Sequence, residues 1–241
     1  MDKRDVKLGI IVPSGNTILE PEFYSFINNL NTRRYDISFH FGRIPQKADT
    51  IEELENMVIG LDQEVQKLKD AEVDAIGFGC TAGSFLKGES YNKSLEVKME
   101  KISKVQCTTA SSSVIKAIKT LKLKKISILS PYSSEINRRL INFMEYHNIY
   151  VENIKGLNLV FDSEKMEEDE IFRIIKKEQL QRNVEGIFIS CTDFKGSKVI
   201  HSIEKEFEIP AITSNQALLW NLFKLVKIKV KIQNYGMLFK I

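Results

Sequence analysis

The sequence predicts an α/β protein built from two similar lobes, and three observations lead to this prediction. Short apolar segments alternate along the chain with longer amphipathic segments, a pattern typical of βαβ units and a parallel sheet. The same series of segments then starts again in the second half, with similar motifs at corresponding places. A last amphipathic segment, Asn215–Val226, follows the second series and has no third series after it.

The first half contains three apolar segments that we predict as strands and two longer segments that we predict as helices. The strands are Lys7–Val12, Asp36–Phe41 and Val73–Gly79, and the helices are Thr17–Leu30 and Thr50–Lys69. In the second of these helices apolar residues recur at three- and four-residue steps, the period of an amphipathic helix. Thr50 and Glu53 form a capping box at its start.

The second half repeats this order of elements. We predict strands at Lys125–Leu129 and Val184–Ser190, an extended segment at Val151–Leu159, and helices at Glu135–His147, Glu167–Gln181 and Lys198–Phe207. A strand followed by a helix on each side of an extended segment is again typical of a parallel sheet.

Three pairs of segments indicate an internal duplication. KLGIIVPSGN (Lys7–Asn16) parallels KKISILSPYSS (Lys124–Ser134), VDAIGFGCTAG (Val73–Gly83) parallels VEGIFISCTDF (Val184–Phe194), and VQCTTASSSVIKAI (Val105–Ile118) parallels IPAITSNQALLWNL (Ile209–Leu222). The simplest arrangement crosses between lobes near Thr109 and Thr213 and returns the final helix to the first lobe. The first lobe then comprises residues 1–106 plus 213–241, and the second comprises residues 107–212.

Composition and charge exclude several classes of protein. The 241 residues are 43% hydrophobic and 28% charged, an ordinary globular composition. The 35 basic and 32 acidic residues leave a net charge of +3, which does not favour a nucleic-acid partner. Three cysteines argue against a disulfide scaffold and favour a reducing compartment. Because neither an export signal nor a membrane-spanning segment is recognisable, we expect a cytoplasmic protein with no membrane partner.

Alternating lysines mark the C-terminal tail. Lys227, Lys229 and Lys231 alternate with apolar residues, which predicts a half-buried strand with a solvated lysine face. Such lysines on an edge strand also discourage aggregation. The alternative is a basic patch for an acidic partner.

Two cysteines occupy equivalent positions after predicted strands. Ligands of parallel α/β sheets bind beyond the carboxyl ends of the strands, and Cys80 and Cys191 lie there, each followed by threonine. Backbone N–H groups at the start of a following helix would favour the thiolate and could also hold a carboxylate. Two such loops facing each other would suit proton removal on one face of a small acid and delivery on the other, or thiol attack with a second thiol as proton donor. The alternative is a small buried apolar residue, which we expect for Cys107.

Other chemistries lack their motifs. The sequence contains neither C-x-x-C nor H-E-x-x-H, and His40, His147 and His201 are scattered, so we expect no metal site. Neither a G-x-G-x-x-G nor a Walker loop follows any predicted strand, which argues against nicotinamide and ATP.

Several stretches resemble the aspartate/glutamate racemase superfamily, and within it the branch of maleate cis-trans isomerases and arylmalonate decarboxylases. These stretches are GIIVPSGNTILEPEF near the start, GCTAGSF around Cys80, CTTASSSVIKAIKTLKLKKISILSPY from Cys107 to Tyr132, ISCTDF around Cys191 and NYGMLF near the end. The resemblance implies two pseudo-symmetric Rossmann-like lobes, each with a parallel four-stranded sheet flanked by helices. It also implies an active site in the cleft between the lobes and neither cofactor nor metal.

The resemblance also implies roles for individual residues. Both cysteine positions are filled in the racemases and maleate isomerases, whereas the arylmalonate decarboxylases have only the second, so Cys80 and Cys191 favour an isomerase or racemase. The residues that the resemblance places around the substrate are Ser14, Asn16, Thr81, Ala82, Tyr132, Ser133 and Thr192, with Asn158 as a further substrate-binding asparagine.

We therefore expect a cofactor-independent isomerase of a small dicarboxylic acid, similar to maleate cis-trans isomerase. Three alternatives stay open: an amino-acid racemase of the aspartate or glutamate type, an arylmalonate-type decarboxylase, and a non-catalytic protein that binds a small acid. A homo-oligomer is a further open expectation, since the sequence does not give the oligomeric state. We expect the loops Arg43–Asp49 and Phe85–Tyr91 to select substrates by size.

Overall fold

Two four-stranded parallel sheets form the centre of the protein. The computed structural model describes residues 3–30, 34–46, 48, 50–159 and 162–241. The strands are β1 (Arg4–Pro13), β2 (Tyr35–Ile44), β3 (Ala75–Phe78), β4 (Gln106–Thr109), β5 (Lys125–Ser130), β6 (Tyr150–Gly156), β7 (Gly186–Ile189) and β8 (Ala211–Thr213). The sheets have the orders β2-β1-β3-β4 and β6-β5-β7-β8, which are the same order twice.

Ten α-helices flank these sheets within the described residues. They are α1 (Leu19–Asn28), α2 (Ile51–Asn56), α3 (Leu61–Asp70), α4 (Thr81–Phe85), α5 (Glu89–Ser103), α6 (Ala110–Thr120), α7 (Ser134–Tyr146), α8 (Glu168–Lys177), α9 (Val199–Phe207) and α10 (Ser214–Leu225). The predicted α/β fold with two four-stranded parallel sheets is confirmed. No described helix is long and apolar enough to cross a bilayer.

The apolar strand sequences account for the position of the core. Every residue of β3 and β7 is buried, because helices cover both faces of each sheet. The helix α10 packs against β3: a Cβ on Gly77 would lie 3.1 Å from the methyl groups of Leu218 and Leu222. The last helix therefore covers the first sheet.

A helix capped by threonine follows the last strand of each sheet. Residues 106–109 pair with β3 in the first sheet, and residues 211–213 pair with β7 in the second. Thr109 then caps α6 by accepting the N–H of Ser112, and Thr213 caps α10 by accepting the N–H of Gln216. The first sheet therefore extends to Thr109, three residues beyond the boundary predicted at 106/107, and the second sheet extends to Thr213, one residue beyond the boundary predicted at 212/213. The lobe boundaries themselves stay a prediction.

Two predicted elements differ from the structure. The helix predicted at Thr50–Lys69 is divided into α2, a 3₁₀ turn at Met57–Gly60 and α3, and it breaks at glycine, a poor helix former. The strand predicted in the lysine-rich tail is also wrong, because this segment makes only one described β-bridge, between Leu30 and Ile232. Ile228 and Ile232 are nevertheless buried between exposed lysines, so the alternation of apolar residues and lysines indicates which side chains are buried but does not indicate strand pairing.

Candidate active site

Both cysteine loops contribute to one cavity between the lobes. Cys80 lies two residues after β3 and Cys191 two residues after β7, at matching ends of the two sheets. The cavity has a volume of about 170 Å³. It is lined by Pro13, Gly15, Asn16, Gln46, Cys80, Thr81, Ala82, Tyr132, Asp162, Ser163, Glu164, Cys191, Thr192 and Asp193.

Cys80 occupies the N-cap position of the short helix α4. Its Sγ accepts a hydrogen bond from the backbone N–H of Gly83 at 3.3 Å, and the side chain is 5% exposed. A Cβ at Gly83 would lie 3.1 Å from this sulfur, so glycine allows the close approach. The thiol therefore faces backbone N–H donors, as the sequence predicts for a cysteine that precedes a helix.

Cys191 is held differently, and here the sequence-based expectation is wrong. The following segment turns, and α9 begins only at Val199, so Cys191 does not precede a helix directly as Cys80 does. The backbone of Cys191 has φ +98°, a conformation that residues with a Cβ rarely adopt. Its N–H donates to Ser214 Oγ at 3.2 Å, and its Sγ accepts the N–H of Asp193 at 3.4 Å.

Hydrogen bonds join the two cysteine loops to each other. Thr192 Oγ1 donates to the carbonyl of Gly79 at 2.9 Å, and Asn16 Nδ2 donates to Thr192 Oγ1 at 3.0 Å. On the other side, Thr81 Oγ1 donates at 2.9 Å to Ser214 Oγ, the atom that accepts the Cys191 N–H. These buried bonds hold the two thiols on a common cavity.

The structure brings most of the predicted site residues together. Asn16, Thr81, Ala82, Tyr132 and Thr192 line the cavity with the two cysteines. Asn16 also caps α1, because its Oδ1 accepts the N–H groups of Ile18 and Leu19.

Three predicted substrate contacts lie elsewhere. Ser14 is exposed, and its hydroxyl bonds to the backbone of Gln46. Ser133 caps α7 through the N–H of Ile136. Asn158 is exposed, with φ +56° and its backbone N–H bonded to the Tyr132 carbonyl at 3.3 Å. The hydroxyls of Ser14 and Ser133 bond to backbone groups, and Asn158 is exposed to solvent, so none of the three is among the described lining of the cavity.

Sequence reasoning missed several lining residues. Gln46 follows β2 inside the predicted size-selecting loop Arg43–Asp49 but was not predicted as a substrate contact; the segment Asp162–Glu164 follows β6, and Asp193 follows the second cysteine. The rule that ligands bind after strands could have found the first two, since both lie beyond carboxyl ends. Of the predicted size-selecting loops, Arg43–Asp49 includes Lys47 and Asp49, which lie outside the described residues; no residue of Phe85–Tyr91 is among the cavity's described lining.

Comparison with known proteins agrees with this geometry. The sequence profile of the arylmalonate decarboxylase family matches residues 8–239. The chain belongs to this family. The resemblance noted in the sequence is thereby confirmed.

Individual relatives are similar over nearly the whole chain. A maleate isomerase of Geobacillus stearothermophilus is 22% identical over 244 residues, covering 96% of both chains. The solved structure of a maleate isomerase variant from Pseudomonas putida with maleate superposes with a TM-score of 0.94 at 21% identity, covering 98% of both chains. A Nocardia farcinica maleate cis-trans isomerase variant with a covalently bound succinylcysteine intermediate gives 0.92 at 16% identity, again with 98% of both chains covered.

In this member of the arylmalonate decarboxylase family, the described cavity lining contains neither lysine, arginine nor histidine. It does contain Asp162, Glu164 and Asp193, the last of which accepts the N–H groups of Thr17 and Ile18. A bound carboxylate would therefore depend on amide, hydroxyl and backbone N–H donors. Among the described residues, no three His, Cys, Asp or Glu side chains cluster closely enough to hold a metal ion.

The third cysteine lies apart from the cavity. Cys107 is buried in β4, and burial raises the pKa of its thiol to about 12. Its Sγ lies 3.5 Å from Ser103 Oγ. At neutral pH this thiol is protonated, as a structural cysteine should be.

Proposed function

We propose that this protein isomerises a small cis-unsaturated dicarboxylate, with maleate to fumarate as the leading case. The observation that carries the proposal is the pair of Cys-Thr loops joined by hydrogen bonds around one small cavity. The maleate isomerases among its relatives, and the solved relative with a succinylcysteine intermediate, support the same reaction.

The reaction needs one thiol as nucleophile and one as proton donor. The Cys80 thiolate forms a C–S bond to one alkene carbon, and the π electrons move to the neighbouring carbon. Cys191 gives that carbon its S–H proton, which leaves a saturated thioether. The former double bond is now a single bond and rotates. The Cys191 thiolate then removes the proton, the C–S bond breaks with its electrons returning to Cys80, and the trans alkene leaves.

The surrounding donors hold the two carboxylates and the charge that develops during addition. Asn16 uses one amide N–H for Thr192 and has a second. Tyr132, which carries a hydroxyl, and the first residues of α4, whose N–H groups have no partner within the helix, line the same space. Donors of this type stabilise transition-state charge by about 3–4 kcal/mol each.

The test follows maleate by its loss of ultraviolet absorbance and fumarate by proton NMR. Wild type should form fumarate, and C80A and C191A should each lose at least about a hundredfold in kcat. C107A is the matched control, since it removes a buried thiol outside the cavity, and should keep wild-type activity in the folded protein. Absence of fumarate in wild type, or full activity in C80A, would overturn the proposal.

A second candidate, an amino-acid racemase, is favoured by the acidic side chains in the cavity lining. Asp162, Glu164 and Asp193 would suit a substrate ammonium group. The two thiols would then act as opposed bases on an α-carbon. Exchange of the α-hydrogen of aspartate or glutamate in deuterated water, without fumarate formation, would identify this activity.

The remaining alternatives give different results in the same experiments. A decarboxylase would release carbon dioxide from a malonate and keep its activity in C80A. A binding protein would retain dicarboxylate in calorimetry after both cysteines are replaced, with no turnover. We propose a cytoplasmic location on the low cysteine count of the sequence, which is typical of a reducing compartment. We also propose that the protein acts without a cofactor; a homo-oligomeric state stays a prediction.

A further inference from the structure

A buried carboxyl group outside the cavity is connected to the loop that carries Cys191. Glu22 lies in the first turns of α1 and accepts two hydrogen bonds, one from the segment before α9 and one from α10. Its Oε1 accepts the backbone N–H of Ser197 at 3.1 Å, and its Oε2 accepts Asn215 Nδ2 at 2.7 Å. The same Asn215 Nδ2 donates to the backbone carbonyl of Thr192 at 2.9 Å.

We infer that Glu22 is a positioning residue for the Cys191 loop, and that it acts through Asn215 only while its carboxyl group is ionised. The inference deepens the proposed function and rests on it for the kinetic part of its test. Thr192 follows the proton-donating cysteine directly and also bonds to Gly79, beside Cys80. A shift of the Thr192 backbone would therefore alter how the two thiols face each other.

The side-chain amide of Asn215 gives this connection two arrangements. In the observed one, its NH₂ group serves both Glu22 and Thr192, while its buried Oδ1 has no hydrogen-bond partner among the described residues. A protonated Glu22 would carry an O–H donor, which Oδ1 could accept if the amide turned over. The NH₂ group would then leave the Thr192 carbonyl, and the loop would lose its support from α10.

The charge state of Glu22 changes within the working range of most enzymes. Burial raises the pKa of this carboxyl group to about 7, against the opposing effect of the hydrogen bonds from Ser197 and Asn215. Glu168, at the start of α8, raises the pKa further. The amide is therefore held in the observed arrangement above about pH 7 and released below it.

Other charged or titratable groups near Glu22 are already engaged. Lys198, next to Ser197, pairs with Glu168 at 3.2 Å. The Tyr235 hydroxyl, from the C-terminal tail, bonds to Ser25 Oγ at 2.6 Å. Asp193, in the cysteine loop, accepts backbone N–H groups at the start of α1. The group that faces Glu22 from α10 is the neutral amide of Asn215.

The experiment compares wild type with E22Q between about pH 5.5 and 8.5, on either side of the pKa of about 7. Three quantities are measured: kcat and KM for maleate in a kinetic assay, and the iodoacetamide alkylation rate of Cys191 relative to Cys80 in the same sample by peptide mapping. At the alkaline end E22Q should have about a tenfold lower kcat, the loss expected for one charge-assisted hydrogen bond, with KM within about twofold of wild type. At the acid end the two proteins should converge. The alkylation ratio should change with pH near 7 in wild type and stay flat in E22Q.

The matched control is E204Q. Burial raises the pKa of Glu204 as well, and this carboxyl group accepts the backbone N–H groups of Ala211 and Met237 without lining the cavity. This variant should follow wild type at every pH. N215S, whose side chain is too short to bridge Glu22 and Thr192, provides a second variant if E22Q does not fold; it should show the flat alkylation ratio.

Two results would overturn the inference: a deficit in E22Q that is the same at every pH, or an alkylation ratio in wild type that does not change near pH 7. If wild type shows no turnover of maleate, the proposed function fails. The alkylation ratio then still decides whether Glu22 positions the Cys191 loop.

Discussion

The strained backbone of Cys191 predicts an unusual order of stability among its variants. Both C191A and C191G remove the sulfur and its bond to the Asp193 N–H, so they differ only in the Cβ at a residue with φ +98°. Glycine adopts this conformation without steric cost, whereas alanine does not. We therefore expect C191G to be more stable than C191A, although both lose activity.

Two opposing effects set the size of the stability difference between C191G and C191A. A residue with a Cβ in such a region costs about 1–3 kcal/mol. Against this, glycine loses more chain entropy on folding than alanine, about 0.4–1 kcal/mol. The net advantage of C191G over C191A is then about 1 kcal/mol. At Cys80, where φ is −136° and ψ is 111°, only the entropy difference applies, so C80A should be the more stable of its pair.

Thermal and urea unfolding of the four variants measures this directly. In a domain of this size, 1 kcal/mol corresponds to roughly 2–4 °C in Tm. The decisive quantity is the glycine-minus-alanine difference at 191 compared with the same difference at 80, which should be about 2 kcal/mol, the size of the strain. Equal differences at the two positions would refute the reasoning, because the strain would then be absent.

Three further predictions concern neighbouring groups. The pKa of Glu22 in the folded state, about 7, lies above its ordinary value of 4.5, so between these pH values the folded state binds more protons than the unfolded state. The free energy of unfolding should therefore fall by about 3 kcal/mol as pH rises through this window. Urea unfolding at several pH values measures this fall, and E22Q should flatten it. Brief iodoacetamide treatment near neutral pH should label Cys107 last, because burial raises the pKa of its thiol to about 12. Bound maleate should protect the two cavity cysteines from the same reagent. Early labelling of Cys107 would contradict the assignment of roles. T192V should lose about 1–3 kcal/mol of stability in thermal unfolding and most of its activity, because the Gly79 carbonyl and the Asn16 amide lose a buried partner. T192S keeps the hydroxyl and should stay close to wild type. Equal losses in both variants would count against the hydrogen bond.

Local sequence patterns predicted the fold well because they encode burial. The apolar segment Val73–Gly79 contains β3, and Val184–Ser190 contains β7, with a cysteine two residues after each strand. A parallel strand covered on both faces must be apolar throughout, and such runs are visible without any tertiary information. The tail shows the limit of this reasoning. Its alternation correctly indicated which residues are buried, but among the described residues it pairs with another segment only at the single bridge between Leu30 and Ile232, so it is not a strand.

The amino-acid sequence by itself predicted the duplicated α/β architecture and the equivalence of Cys80 and Cys191, and its family resemblance implied five of the residues that line the cavity beside them. Only the tertiary structure decided the strained conformation of Cys191, the Asp162–Glu164 segment of the lining, and the path from Glu22 through Asn215 to Thr192. The physical reason is distance along the chain. Periodicity and strand ends are properties of neighbouring residues, whereas these features depend on side chains that lie far apart in sequence and meet only because the two lobes pack against each other.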